Sequence, residues 1–239
     1  MPPRFFCETP IAWSEDAPVG ATLVDTEAHH LRHVLRLGVG DRVTLFDGGG
    51  AEYLAEVTAT SRRDAKLSVL QRHEPLRERP APLVLGVALP KGDRQRVLVE
   101  KLTELGVAEL VPLVTERGVA APKPSAVERL RRGVIEASKQ CRRNVLMRVS
   151  DAEPLEAFLA AHPEGERLFA HPDGAALTPA DATGRAAIAI GPEGGFTATE
   201  AAAATAAGWT AVSLGPRILR VETAAVALAA TRAIVGPFG

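Results

Sequence analysis

Apolar and polar positions fall into two regimes along the chain. Over residues 3–73 short apolar runs are separated by turn residues: Leu23-Val24, Arg42-Val43-Thr44-Leu45-Phe46, Tyr53-Leu54-Ala55-Glu56-Val57 and Lys66-Leu67-Ser68-Val69-Leu70. Alternation within the runs, and the Asp47-Gly48-Gly49-Gly50 turn between two of them, predict a small antiparallel barrel or sheet. One stretch breaks the pattern. His30, Leu31, Val34, Leu35 and Leu37 predict a short helix over 27–37 that stops at Gly38. Residues 74–82 carry Pro75, Pro80 and Pro82 among alternating Arg and Glu, and read as a connection to a second domain.

Beyond residue 82 the pattern becomes strand–helix alternation, the mark of an α/β domain with a mainly parallel sheet. A strand at 83–87 precedes a helix with Asp93 as N-cap, Val97, Leu98, Leu102 and Leu105 on one face, and Gly106 at its stop. A strand at 109–114 follows, then a helix over 125–145 whose Val127, Leu130, Val134, Ala137, Cys141 and Val145 recur every three or four residues. Leu168-Phe169-Ala170 is a short strand that leaves abruptly at His171-Pro172-Asp173-Gly174. A strand at 186–190 enters the loop 191–195, and Thr197-Ala198-Thr199-Glu200 is a capping box that opens an alanine-rich helix closed by Gly208. The last strand spans 209–214. The last helix spans 222–235, with Ala224, Ala225, Ala227, Ala229 and Ala230 as small surface residues. The expected organisation is a β-rich domain at 1–73, a linker at 74–82 and an α/β domain at 83–239.

Composition narrows the class. In 239 residues, 46% are hydrophobic, enough for a sizeable core, yet no run approaches the roughly 18–20 apolar residues of a membrane span. The beginning lacks the apolar core of a signal peptide, so a cytoplasmic address is expected. Cys7 and Cys141 form no metal-ligand pattern and fit structural thiols in a reducing compartment. His29, His30 and His33 stand at helical spacing, but no carboxylate or thiol completes a ligand set, and no metal is expected. A net charge of −1 hides an uneven distribution. Between Arg117 and Arg148 the cations Lys123, Arg129, Arg131, Arg132, Lys139, Arg142 and Arg143 face only Glu128 and Glu136. Such a segment is either a solvated face or a surface for a polyanion.

Two C-terminal segments concentrate the chemistry: Gly191-Pro192-Glu193-Gly194-Gly195-Phe196, and Leu214-Gly215-Pro216-Arg217-Ile218-Leu219-Arg220-Val221-Glu222-Thr223-Ala224. Each follows a buried strand and leaves the sheet sharply where ligands of α/β proteins sit. The chain has no GxxxxGK[ST], no GxGxxG after a strand and no GxSxG, so P-loop, Rossmann and serine-hydrolase chemistry are excluded. What remains is an adenine-bearing small molecule held by main-chain groups.

Those two segments resemble the signature of the RsmE family, SPOUT-class methyltransferases that act on N3 of a uridine in small-subunit (16S) ribosomal RNA. His33-Val34-Leu35-Arg36-Leu37 with Gly40-Asp41, Lys91-Gly92-Asp93-Arg94, 101–107, Thr115-Glu116-Arg117 and 136–143 resemble it in the same order. The resemblance implies a PUA-like N-terminal domain, a trefoil-knotted α/β domain, S-adenosylmethionine as cofactor, and a homodimer. It further implies cofactor binding by His171, Gly191, Pro192, Glu193, Gly194, Gly195, Leu214, Gly215, Ile218 and Leu219. Ser138-Lys139 and Arg142 depart from the family pattern, where Ala-Glu and Gly are expected. Glu193 and Glu222 are candidate bases for the uracil N3 proton, and Arg220 is a candidate to stabilise charge on a carbonyl. The alternative for either glutamate is a helix cap or an arginine partner. Arg4, Arg32, Arg36, Arg117, Arg132, Lys139, Arg142 and Arg143 are candidate RNA contacts. Competing readings are a knotted methyltransferase for a ribose hydroxyl or transfer RNA, and a non-catalytic RNA-binding factor.

Overall fold

The computed structural model describes residues 2–118, 121–177 and 184–233. Contacts divide the chain into two units, one of Met1–Arg77 with Ser138–Leu146 and one of Glu78–Ala137 with Met147–Gly239.

The first unit is a five-stranded sheet in the order β1 (Arg4–Phe6), β3 (Arg42–Phe46), β4 (Glu52–Thr60), β5 (Asp64–His73), β2 (Val19–Val24). All pairs are antiparallel except β1 on β3. The alternation that predicted strands puts Tyr53, Ala55 and Val57 of β4, and Ala65, Leu67 and Val69 of β5, into one core with Phe5, Leu23, Leu31 and Leu45. Two register shifts between β4 and β5 bend the pair. Strand β1 escapes the sequence reading because three residues are too short to show a period. The predicted helix begins at α1 (Asp25–His29) and continues as a π-helical turn over His30–Val34. Among the described residues no group of three or more His, Cys, Asp or Glu is placed to hold a metal.

Ser138–Leu146 is held in this unit by charge and by a strand bridge. Lys139 Nζ lies 2.6 Å from Glu27 Oε1, and Arg77 Nη1 donates to the Arg142 carbonyl at 2.8 Å. Arg4 stacks 4.2 Å over the Phe46 ring, donates to Asn144 Oδ1 and to the Arg143 carbonyl, and meets Glu52 at 3.0 Å. Gly49 bridges Val145. Burial pushes the Glu52 carboxyl up, but the Arg77 and Arg4 guanidinium groups outweigh it and hold the carboxyl below its ordinary value of 4.5. The sign follows from linkage: with the folded value depressed, stability from Glu52 is present above the unfolded value and is lost as pH falls through the folded one. The melting-temperature gap between the protein and its Glu52→Gln variant is therefore expected to close on titration below about pH 4.5. A gap that stays constant into acid would refute this.

The second unit is a parallel sheet in the order β12 (Thr210–Ser213), β10 (Glu166–Ala176), β11 (Ala186–Ile190), β6 (Leu83–Val87), β7 (Glu109–Val114), β8 (Arg148–Val149), with β9 (Glu153–Pro154) also on β7. Every residue of β6 and β11 is buried, as expected of strands covered on both faces. The helices are α2 (Arg94–Glu104), α3 (Pro124–Cys141), α4 (Leu155–Ala161), α5 (Ala198–Ala206) and α6 (Val221–Ala233).

Several boundaries differ from expectation. Asp93 precedes α2 but has helical backbone angles and makes no side-chain cap bond. Val97 is exposed and Leu105 half-buried, while α2 buries Leu98 and Leu102 as expected and Val99 and Thr103 besides. Helix α3 ends at Cys141, where the chain turns through Arg142 at φ 63°. Ala225 and Ala229 are not surface residues but fully buried, which lets α6 lie close to α2. The last two positions of the predicted final helix, Ile234 and Val235, lie outside the described residues. Arg232, near the end of α6, binds Glu166 of β10 through two nitrogens at 2.5 and 2.7 Å.

Candidate functional site

Three loops at the carboxyl ends of β10, β11 and β12 enclose one cavity of about 390 Å³. The first is an excursion within β10. Ala170 and Ala175 both pair with Val212, so residues 171–174 loop out of the strand. The expected abrupt exit at His171 is thus a bulge, and the strand resumes to Ala176. Gly174 makes the close approach possible, since a Cβ there would stand 2.5 Å from Val212 N.

The second loop follows Ile190. Gly195 at φ 67° donates to the Pro192 carbonyl at 2.8 Å, closing a tight turn with Glu193 and Gly194 at its tip. The predicted capping box then starts α5: Thr197 N donates to Glu200 Oε2 at 2.7 Å, and Glu200 N donates to Thr197 Oγ1 at 3.2 Å. The other Glu200 oxygen accepts from Glu116 N at 2.9 Å, and Arg117 Nη1 donates to the Gly194 carbonyl at 2.9 Å. The segment leaving β7 therefore braces the glycine turn. The third loop leaves β12 through Gly215 at φ 102° and reaches Ile218, which is 95% exposed, before α6 begins.

His171, Gly191, Pro192, Glu193, Gly194, Gly195, Leu214, Gly215, Ile218 and Leu219 all line this cavity. Its walls are main chain and apolar side chains together with His171, Ser213 and Arg217, and Glu193 is the carboxylate. Glu193 Oε1 accepts from Arg94 Nη1 at 3.1 Å, and the same nitrogen stands 3.8 Å from Glu222 Oε2. Glu222 is only 9% exposed, lies off the cavity wall, and its Oε2 is buried without a hydrogen bond. The two glutamates singled out in the sequence thus meet through one guanidinium. Arg220 does not join them: it is exposed and outside both the cavity lining and this cluster.

Sequence reasoning gave Arg94 no role. It is the first residue of α2, just past the carboxyl end of β6, and β6 pairs with β11, which carries the Glu193 loop. The signal was present in Lys91-Gly92-Asp93-Arg94, but only the strand order identifies the partner.

The family comparisons agree with this architecture. A family profile for an RNA methyltransferase domain matches residues 77–233, and one for an RNA methyltransferase PUA domain matches 23–70. A Synechocystis protein named ribosomal RNA small subunit methyltransferase E is 37% identical over 223 residues, 90% of this chain and 73% of the relative. The chain belongs to the ribosomal RNA small subunit methyltransferase E family. The Bacillus subtilis protein of that name is 29% identical, covering 92% of each chain. The solved Neisseria gonorrhoeae ribosomal RNA small subunit methyltransferase E, bound to S-adenosyl methionine, superposes with a TM-score of 0.89 at 30% identity and covers 100% of each chain.

In this member of the methyltransferase E family the candidate RNA contacts separate by burial. Lys139 is paired with Glu27 and Arg4, its side chain only 10% exposed, with Glu52, both within the first unit, and Arg143 is buried. Arg32 is half-buried and donates to the Ser61 carbonyl. Arg36, Arg117, Arg132 and Arg142 are exposed. The expected set of eight therefore divides into four exposed cations, Arg36, Arg117, Arg132 and Arg142, and four that are buried or half-buried.

Proposed function

We propose that this chain transfers a methyl group from S-adenosylmethionine to N3 of a uridine in 16S ribosomal RNA. The observation that carries the reading is the cavity of main-chain loops at the carboxyl ends of three neighbouring strands, with a carboxylate on its wall. Its volume of about 390 Å³ lies within the ~300–1,000 Å³ of small-molecule sites. The residues fit the donor. A Cβ on Gly191 would stand 3.1 Å from Phe196 N, so bare backbone forms that wall, and Leu214, Ile218 and Leu219 add apolar surface suited to an adenine. The donor supplies a methyl group on a positively charged sulfur. The chain's own part is to position the uracil, keep water away, and take the N3 proton. Glu193 is the base on this reading, because it is on the cavity wall while Glu222 is not.

Arg36, Arg117, Arg132 and Arg142 hold phosphates while the uridine is turned out of its stack. Four phosphate contacts to single-stranded RNA give log affinity against log salt a slope of about −3, and Arg132→Gln should flatten it by about 0.7. An affinity indifferent to ionic strength would remove this part of the account. The same reading carries a trefoil knot in the second unit, a homodimer and a cytoplasmic setting. Among the described residues no helix is long and apolar enough to cross a membrane.

The deciding experiment compares ribosomal RNA from cells with and without this chain by nucleoside mass spectrometry. Loss of 3-methyluridine from the small subunit is expected on deletion. A lost ribose methylation, or no change together with no binding of S-adenosylmethionine in calorimetry, would overturn the proposal.

A further inference from the structure

The guanidinium that joins the two glutamates has unused capacity. Arg94 Nη1 contacts Glu193 and Glu222, while Nε and Nη2 make no hydrogen bond among the described residues, and the side chain is 34% exposed. Glu193 beside it is 54% exposed. Glu193 lines the cavity, and Arg94, just outside that lining, stands 3.1 Å from it, so donor and acceptor are side by side.

That arrangement complements one edge of one base. Uracil presents carbonyl, N3–H, carbonyl in a row, so a carboxylate accepting from N3–H leaves an adjoining donor facing a carbonyl oxygen. We infer that Arg94 reads the target base, donating to a uracil carbonyl while Glu193 accepts the N3 proton and Glu222, behind it, holds the guanidinium in place. The inference rests on the methyl transfer proposed above and adds to it a specificity-determining catalytic residue.

The chemistry balances without a further reactant. Glu193 takes the proton, the N3 electron pair forms the bond to the methyl carbon, the bond from that carbon to sulfur breaks with its pair left on sulfur, and Glu193 then returns the proton to water. Negative charge that develops on the uracil oxygens falls beside Arg94, where a fixed cation stabilises it most. Cytosine is rejected because its N3 has no proton for Glu193, and with Arg94 at position 4 its amino group would also meet the guanidinium donor to donor. Glu222 is 9% exposed, and Arg94 is the cation paired with its buried oxygen, which suits an anchor and not a group that meets substrate. Arg220, the cation first considered for this task, stands outside the cluster.

The test uses the full chain, small-subunit RNA bearing the target uridine, and the same RNA with 2-thiouridine or 4-thiouridine at that position. Single-turnover rates at saturating S-adenosylmethionine are measured for the protein, R94K, R94Q and E222Q, alongside donor affinity by calorimetry and thermal melting. R94Q is expected to slow the chemical step about 10²–10³-fold with donor affinity nearly unchanged, melting being followed separately because Glu222 loses its paired cation. R94K should recover only part, since an ammonium lacks the planar fork. The oxo-to-thio rate ratio at one carbonyl should differ between the protein and R94Q, because sulfur is a poor acceptor for the contact R94Q has already lost. Its effect on intrinsic acidity is common to both proteins. E222Q should shift the same ratio in the same direction by less. A product other than 3-methyluridine from the unaltered protein would overturn the methyl-transfer reading and this inference together. With 3-methyluridine formed, an unchanged ratio in R94Q, or rate and donor affinity falling in step, would overturn this inference alone.

Discussion

Glu193→Gln is expected to slow single-turnover methylation about 10²–10⁴-fold, the range for loss of a positioned general base. Glutamine preserves the size of the side chain, and its carbonyl can still accept from Arg94, so the bond at 3.1 Å has a replacement. The turn itself does not depend on the carboxylate. It is closed by Gly195 N on the Pro192 carbonyl and braced by Arg117 on the Gly194 carbonyl. What the substitution removes is the capacity to take a proton. Donor affinity, measured by calorimetry in parallel, should change little, and the loss should appear in the chemical step. If rate and donor affinity fell together, Glu193 would be a brace of the loop. If Glu222→Gln proved the more damaging of the two, the assignment of the base to the cavity wall would be reversed.

The sheet explains why this cluster forms at all. Strands β6, β11, β10 and β12 are neighbours and parallel, so their carboxyl ends open on the same side of the sheet although they come from residues 83–87, 186–190, 166–176 and 210–213. Arg94, Glu193 and Glu222 follow the ends of β6, β11 and β12, and His171 stands in the excursion of β10. A parallel sheet thus gathers loops distant in sequence into one rim, the usual place for a ligand in open α/β sheets.

The sequence made the loops legible and left their joining hidden. Gly191 to Gly195 and the Thr197–Glu200 capping box are local signals, written in consecutive residues, and both occur as expected. The excursion at 171–174 was visible as a turn, but the return of β10 beyond it was not, because Ala175 and Ala176 carry no strand period of their own. Burial was equally opaque. Lys139 looks like any exposed cation of a basic helix, and only the placement of Ser138–Leu146 in the first unit brings Glu27 within 2.6 Å of it. Arg142 was visible as a departure from an expected glycine. Its φ of 63° gives the reason a glycine suits that position, since a left-handed residue with a side chain costs about 1–2 kcal/mol.

Gly174→Ala is expected to lower stability and donor affinity together, the first by about 1–3 kcal/mol, which is the usual cost of forcing a methyl into a filled site. The added Cβ would stand 2.5 and 2.6 Å from Val212 N and C, and 2.7 Å from Ala211 C. These are backbone atoms, so no side-chain rotation relieves the clash. Either the bulge in β10 opens or β12 moves away. Both outcomes reach the cavity, because residues 171–172 and the loop after Ser213 line it from the two strands involved. At about 2–4 °C per kcal/mol for a chain of this size, the melting temperature should fall by several degrees. Gly184→Ala is the control, since among the described residues a Cβ there meets nothing within 4 Å and the backbone is not left-handed. Wild-type melting and S-adenosylmethionine affinity in Gly174→Ala would mean that the close approach of the two strands is not what shapes the cavity.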